Sequence, residues 1–157
     1  MKTVLVMALI IYLAGVAVAA DKIVGVWKLD ATESRLPQSP TSPKELTDTY
    51  AATAKGTIEL TRTGIQMDGT VISSKWSWPE QGGIAERILP DPLPKESSYV
   101  AVLVAPGKWY VSIMNMGKQV AFYGKDISKD GKTMHITLNG TETLGKPFDQ
   151  LLVFRRQ

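Results

Sequence analysis

Beyond residue 21 the chain alternates apolar and polar positions in short runs broken by glycine and proline. In "KIVGVWKL" (22–29), Ile23, Gly25, Trp27 and Leu29 fall on one face. In "TVISSKWSW" (70–78), Ile72, Ser74, Trp76 and Trp78 do the same. Successive side chains of a strand point to opposite faces, so a period of two predicts half-buried strands. The same reading gives strands over 45–53, 57–63 with 64–67, 84–89, 97–104, 108–115, 119–127, 132–140 and 149–156. Turn signals separate them at Lys55-Gly56, Asp68-Gly69, Pro106-Gly107, Gly117 and Asp130-Gly131. No helical period of useful length is present.

Strands joined in sequence by short turns form an antiparallel meander. A meander of eight or more strands removes its exposed edges by closing on itself. The pattern therefore predicts an all-β, antiparallel, up-and-down barrel of about eight to nine strands. A barrel of eight strands has room for its own side chains or for one small ligand. The proline-rich stretches 37–43 and 90–94 cannot be central strands and are loops. The first is long enough to fold over a barrel mouth.

Residues 1–20 break the pattern. Lys2 precedes an apolar run from Val4 to Leu13, and Ala17-Val18-Ala19 has the small-x-small form of a signal-peptidase site. The expectation is a signal peptide over 1–20, a single domain over 21–157, and export to the periplasm or the medium without stable membrane insertion after cleavage. The mature chain then carries 17 basic and 15 acidic residues in interspersed order. It has no basic stripe for nucleic acid. The absence of cysteine excludes disulfides, thiolate metal sites and a thiol nucleophile.

Two segments carry a resemblance. "GVWKLDATESRLPQSPTSPKELTDTY" resembles the start of small bacterial secreted lipocalin-like proteins, which open with a G-x-W-K-L strand and a proline-rich loop. "SKDGKTMHITLNGTETLGKPFDQLLVFRRQ" is similar to the same group's C-terminal end. The resemblance implies a lipocalin-like, calycin-type barrel, exported, without an assigned activity. It also implies a closure contact, because lipocalins stack an arginine of the last strand over the tryptophan of the first. A meander closes by pairing 22–30 with 149–156, which turns Trp27 inward. Arg155 shares a face with Leu151 and Val153 and is the candidate for the stack, with Arg156 its replacement if the register shifts by one.

Little in the sequence resembles a catalytic centre. His135 is the sole histidine, and it alternates with Met134 and Ile136, so it should face solvent. One histidine and no cysteine leave no basis for a metal site, and no cofactor motif is present. No pair of carboxylates sits at i, i+2 on an apolar face. Aromatic residues are the suggestive set: Trp76, Trp78, Tyr99, Trp109 and Phe122, joined by Met134, could line a pocket inside the barrel. Lys75 and Ser77 could supply polar groups only if their strand faced the other way. The leading expectation is an exported, non-enzymatic module that binds a small hydrophobic or planar ligand. The alternatives are a filled-core structural or protein-interaction module of the cell envelope and, behind it, an isomerase or hydrolase on a barrel scaffold.

Overall fold

A computed structural model describes residues 22–89, 96–141 and 147–157. Residues 1–20, where a signal peptide is expected, and the second proline-rich stretch lie outside the described residues. Ten strands are present: β1 (Gly25–Leu29), β2 (Pro43–Ala52), β3 (Thr57–Gln66), β4 (Val71–Pro79), β5 (Gly82–Leu89), β6 (Ser97–Ala105), β7 (Lys108–Asn115), β8 (Lys118–Ile127), β9 (Thr133–Thr141) and β10 (Pro147–Arg156). Each pairs antiparallel with its neighbours in sequence, and β1 pairs with β10 to close the barrel.

The count is ten rather than eight to nine. The apolar run 84–89 is lengthened by Gly82 and Gly83 into a full strand, which adds to the count, although 57–63 and 64–67 merge into one strand and its turn. Both glycines have positive φ, 92° and 144°, and a Cβ on Gly82 would stand 2.7 Å from the Ala101 carbonyl oxygen. Glycine there lets β5 lie close against β6. Barrel diameter grows with strand number, so ten strands enclose more space than eight.

The seam explains the opening Gly-x-Trp. Trp27 pairs with Arg156 across β1 and β10 and is fully buried. Its indole Nε1 donates to the Ile23 carbonyl at 2.7 Å. The Arg156 guanidinium lies 4.4 Å from the Trp27 ring centroid. It donates to the carbonyls of Gly131 (2.7 Å), Val24 (2.8 Å) and Lys22. Gly25 makes room for it, since a Cβ there would meet Arg156 Nη1 at 2.6 Å, and its φ of 140° favours glycine.

Arg155 is not the residue over Trp27. On β10 the inward face is Leu152, Phe154 and Arg156. Arg155 points outward and pairs with Asp30 and Glu33. Val153 misleads because it is buried on the outer side. The chain after β1 runs along the edge of β10, where Asp30 N donates to the Val153 carbonyl and Arg35 bridges Leu151. Burial on both faces makes "LLVF" a continuous apolar run and hides the period.

Loop 37–43 docks on the β3–β4 turn. Met67 N donates to the Ser42 carbonyl at 2.9 Å and Asp68 N to the Pro40 carbonyl at 3.0 Å. His135 is exposed, with Met134 and Ile136 buried beneath it.

Two stability outcomes follow from these placements. Gly25→Ala should lower unfolding free energy by about 1–3 kcal/mol through backbone strain and displacement of Arg156. His135→Ala should change it by less than about 0.5 kcal/mol. Urea denaturation of the two variants against the parent chain measures both.

Candidate functional site

The barrel is packed at one end and hollow toward the other. Ile23, Trp27, Trp109 and Phe154 fill the closed end. A cavity of about 620 Å³ begins beyond them. It extends to the mouth, which is lined by Thr41 and Pro43 of the docked loop and by Thr70 and Val71 beside it. Its walls are Leu46, Leu60, Trp76, Trp78, Tyr99, Val111, Tyr123, Ile136 and Leu152, with Arg62, Ser74 and Gln150 as polar points. Such mixed lining, mostly apolar with a few polar groups, is typical of small-molecule sites.

The rings form two edge-to-face triads. Trp76 and Tyr99 have centroids 4.1 Å apart, Tyr99 and Tyr123 6.4 Å, and Trp78 stands 6.2 Å from Tyr50 and 6.1 Å from Trp109. Each edge-to-face pair adds roughly 0.5–1.5 kcal/mol to the area it buries. These triads fix the wall. Trp78 Nε1 is buried and has no acceptor among the described residues.

A charged cluster is set into the same wall. Asp48 on β2 is fully buried and accepts two bonds from Arg62 on β3, from Nε and Nη2, both at 2.7 Å. This bidentate geometry holds the guanidinium plane rigidly. Burial alone would pull Arg62 down, but Asp48 beside it more than offsets this and holds it above its ordinary value. The Arg62 side chain stays 32% exposed, and no hydrogen bond engages its Nη1 among the described residues. Tyr50 OH donates to Asp48 Oδ2 at 3.2 Å and accepts from Lys125 Nζ at 2.8 Å. Burial, with the Asp48 charge nearby, pushes the Tyr50 phenol well up, so it stays protonated.

Lys125, on β8, is 2% exposed. Its ammonium lies among the rings of Tyr50 (4.6 Å), Trp78 (5.1 Å) and Tyr123 (5.4 Å). Desolvation pulls it down to about 7, and the Asp48 charge only partly opposes this.

The sequence-derived candidates divide. Trp76, Trp78 and Tyr99 line the cavity. Trp109 and Met134 are buried but belong to the packed core and not to the cavity wall. Phe122 is on the outer face, 44% exposed, because the inward set of β8 is Ala121, Tyr123, Lys125 and Ile127. Lys75 and Ser77 also face outward, and Lys75 pairs with Glu59 at 2.8 Å. Asp48, Arg62 and Lys125 were missed. Yet each sits in register with an apolar set: Leu46-x-Asp48-x-Tyr50, Ile58-x-Leu60-x-Arg62 and Tyr123-x-Lys125-x-Ile127. A charge on the apolar face of a strand was the available signal. Among the described residues no cluster of His, Asp or Glu is placed to hold a metal ion.

By sequence, the chain matches no protein-family model and no curated protein. Its architecture does match solved structures. The fluorescent protein UnaG superposes with a TM-score of 0.61 at 16% identity, over 87% of this chain and 98% of that one. A point mutant of UnaG gives the same TM-score and identity, over 87% and 96%. The fold is of the calycin type. In this closed barrel Asp48, Arg62 and Lys125 stand together on the inner face of β2, β3 and β8.

The Lys125 environment predicts a pH dependence. Its ordinary value is 10.5, so between about 7 and 10.5 the unfolded chain holds more protons on it than the folded chain does. Stability therefore rises with pH across that window, by at most about 1.4 kcal/mol per unit from this group. Below the window it is charged in both states and adds no slope. Lys125→Met should lack this rise, so its stability relative to the parent should fall as pH increases from 7.5 to 9. Chemical denaturation at the two pH values measures the difference.

Proposed function

We propose that the protein is an exported, non-enzymatic carrier whose barrel takes up one small, mostly apolar, planar molecule bearing an acidic or strongly accepting group. The observation that carries this reading is the aromatic-walled cavity of about 620 Å³ with the Arg62 guanidinium fixed in its wall. Asp48 holds Arg62 through two of its nitrogens, and Nη1 is the remaining donor for an anion. Trp78 Nε1 is a second buried donor in the same wall. The apolar body of the ligand would be buried against Trp76, Trp78 and Tyr99. Affinity would then come from the area removed from water, at roughly 25 cal/mol per Å², and orientation from the polar contact. The likeness to UnaG supports the barrel, and the leader pattern of residues 1–20 supports export.

Anilinonaphthalene sulfonate, a planar apolar anion, is a suitable probe. It should bind with a rise in its fluorescence and quench the cavity tryptophans. Ala101→Phe, which fills the cavity from β6, should weaken binding at least about tenfold, or about 1.4 kcal/mol. Equal binding by the parent and the filled variant would place the probe elsewhere and remove the support for a barrel site. N-terminal sequencing of the protein from the organism that encodes it should begin at Ala20 or Asp21. A start at Met1 would contradict export by cleavage.

A second reading, an envelope interaction module, draws on the outer face of β5–β8. There Ile84, Val102, Tyr110 and Phe122 are each 44% exposed or more. Sedimentation showing a stable dimer that Ile84→Lys dissociates would favour it.

A further inference from the structure

Lys125 is 2% exposed and takes no part in the carrier reading. A lysine taken out of water is ordinarily paired with a carboxylate. Here the nearest carboxylate, Asp48, is held by both of its oxygens on Arg62. Among the described residues Lys125 Nζ donates to the Tyr50 hydroxyl and has three aromatic faces around it. Two of those rings, Trp78 and Tyr123, themselves line the cavity. The amine is therefore one ring layer from the ligand space.

We propose that Lys125 is a covalent capture site, its amine forming an imine with the carbonyl carbon of an aromatic or otherwise planar aldehyde held in the barrel. This deepens the ligand-binding reading and rests on it. The uncharged amine attacks the carbonyl carbon, a C–N bond forms, the C–O bond breaks, and the oxygen leaves as water carrying the two hydrogens that the amine nitrogen loses. The aldehyde and the lysine give the imine and one water, with no oxidant or reductant. An amine of this kind is the nucleophile that Schiff-base chemistry requires, activated by desolvation in an apolar pocket. Burial brings Lys125 to about 7, so a large fraction is uncharged at neutral pH. The Tyr50 hydroxyl, itself held by Asp48, accepts from Lys125 Nζ and so positions the amine. The ionisable groups facing the amine are Asp48 and Tyr50 from β2, Arg62 from β3 and Tyr123 on its own strand, while β4 presents Trp78.

The test uses the full chain, 2-naphthaldehyde as the probe, and its unreactive isostere 2-methylnaphthalene. Incubation with cyanoborohydride near neutral pH reduces any imine to a stable secondary amine, which peptide mass spectrometry locates. One naphthylmethyl group on Lys125 is expected. Exposed lysines such as Lys55 and Lys118 should remain unlabelled under the same conditions. The labelling rate should climb through about pH 7 and then level. Lys125→Met and Lys125→Arg should abolish the label while binding 2-methylnaphthalene within about threefold of the parent, read by tryptophan quenching. Tyr50→Phe should slow labelling about tenfold without weakening 2-methylnaphthalene. Binding of 2-methylnaphthalene with label spread over exposed lysines, or with none on Lys125, would overturn the capture site and leave the carrier intact. Failure of both naphthalenes to bind would overturn both.

Discussion

Ten strands form a tube only if the first and last meet, and in this chain they meet over three residue pairs: Trp27 with Arg156, Lys28 with Arg155 and Leu29 with Phe154. So short a seam needs reinforcement, and Arg156 supplies it. Its guanidinium covers the Trp27 ring and collects carbonyls from Lys22, Val24 and Gly131. A cation over an indole contributes on the order of 0.5–2 kcal/mol, and the carbonyls it satisfies would otherwise be lost at the strand ends. Gly25 is part of the same device, since its missing Cβ is where the guanidinium lies. The outer edge of β10 is then covered by the chain following β1, through Arg35 and Ser34. Closure and plugging are thus one interaction at one end of the barrel.

Plugging that end concentrates bulk there and leaves the rest of a ten-strand interior underfilled. The chain does not fill it with apolar side chains. Instead it places one acid and two bases, Asp48, Arg62 and Lys125, on the inner face. Taking charges out of water is costly, and replacing a buried ion pair by apolar residues of similar volume is often neutral or stabilising. The fold alone therefore does not call for these residues. The cluster meets its own cost by geometry: two parallel hydrogen bonds for Arg62, and aromatic faces with a partly uncharged amine for Lys125. What is left over is a fixed donor at the cavity wall and an amine behind the aromatic layer.

Much of the fold could be read directly from the sequence, because period-two alternation and glycine turns are local signals. The segments around Trp76 and Trp78, and around Met134 and His135, have the facing that their alternation indicates. The β10 facing did not come out because Leu151 and Val153 are covered from outside, which erased the alternation that separates the two faces. Phe122 is aromatic, which by itself suggests a lining position, but its neighbour Tyr123 holds the inward position. The charged cluster escaped because its members are distant in sequence. Asp48 and Lys125 meet only through Tyr50, and only closure of the meander brings β8 opposite β2. A single charge within an apolar alternation was visible at each position, but its partner was not.

The central claim is that the barrel interior is a ligand site and not an underfilled core. Native mass spectrometry of the protein purified from the organism that encodes it tests this most directly. The account predicts a complex heavier than the polypeptide by one small molecule, released on denaturation and identifiable as a planar apolar acid or carbonyl compound. A polypeptide that emerges with no added mass, and that takes up none when returned to an extract of the same cells, would contradict it.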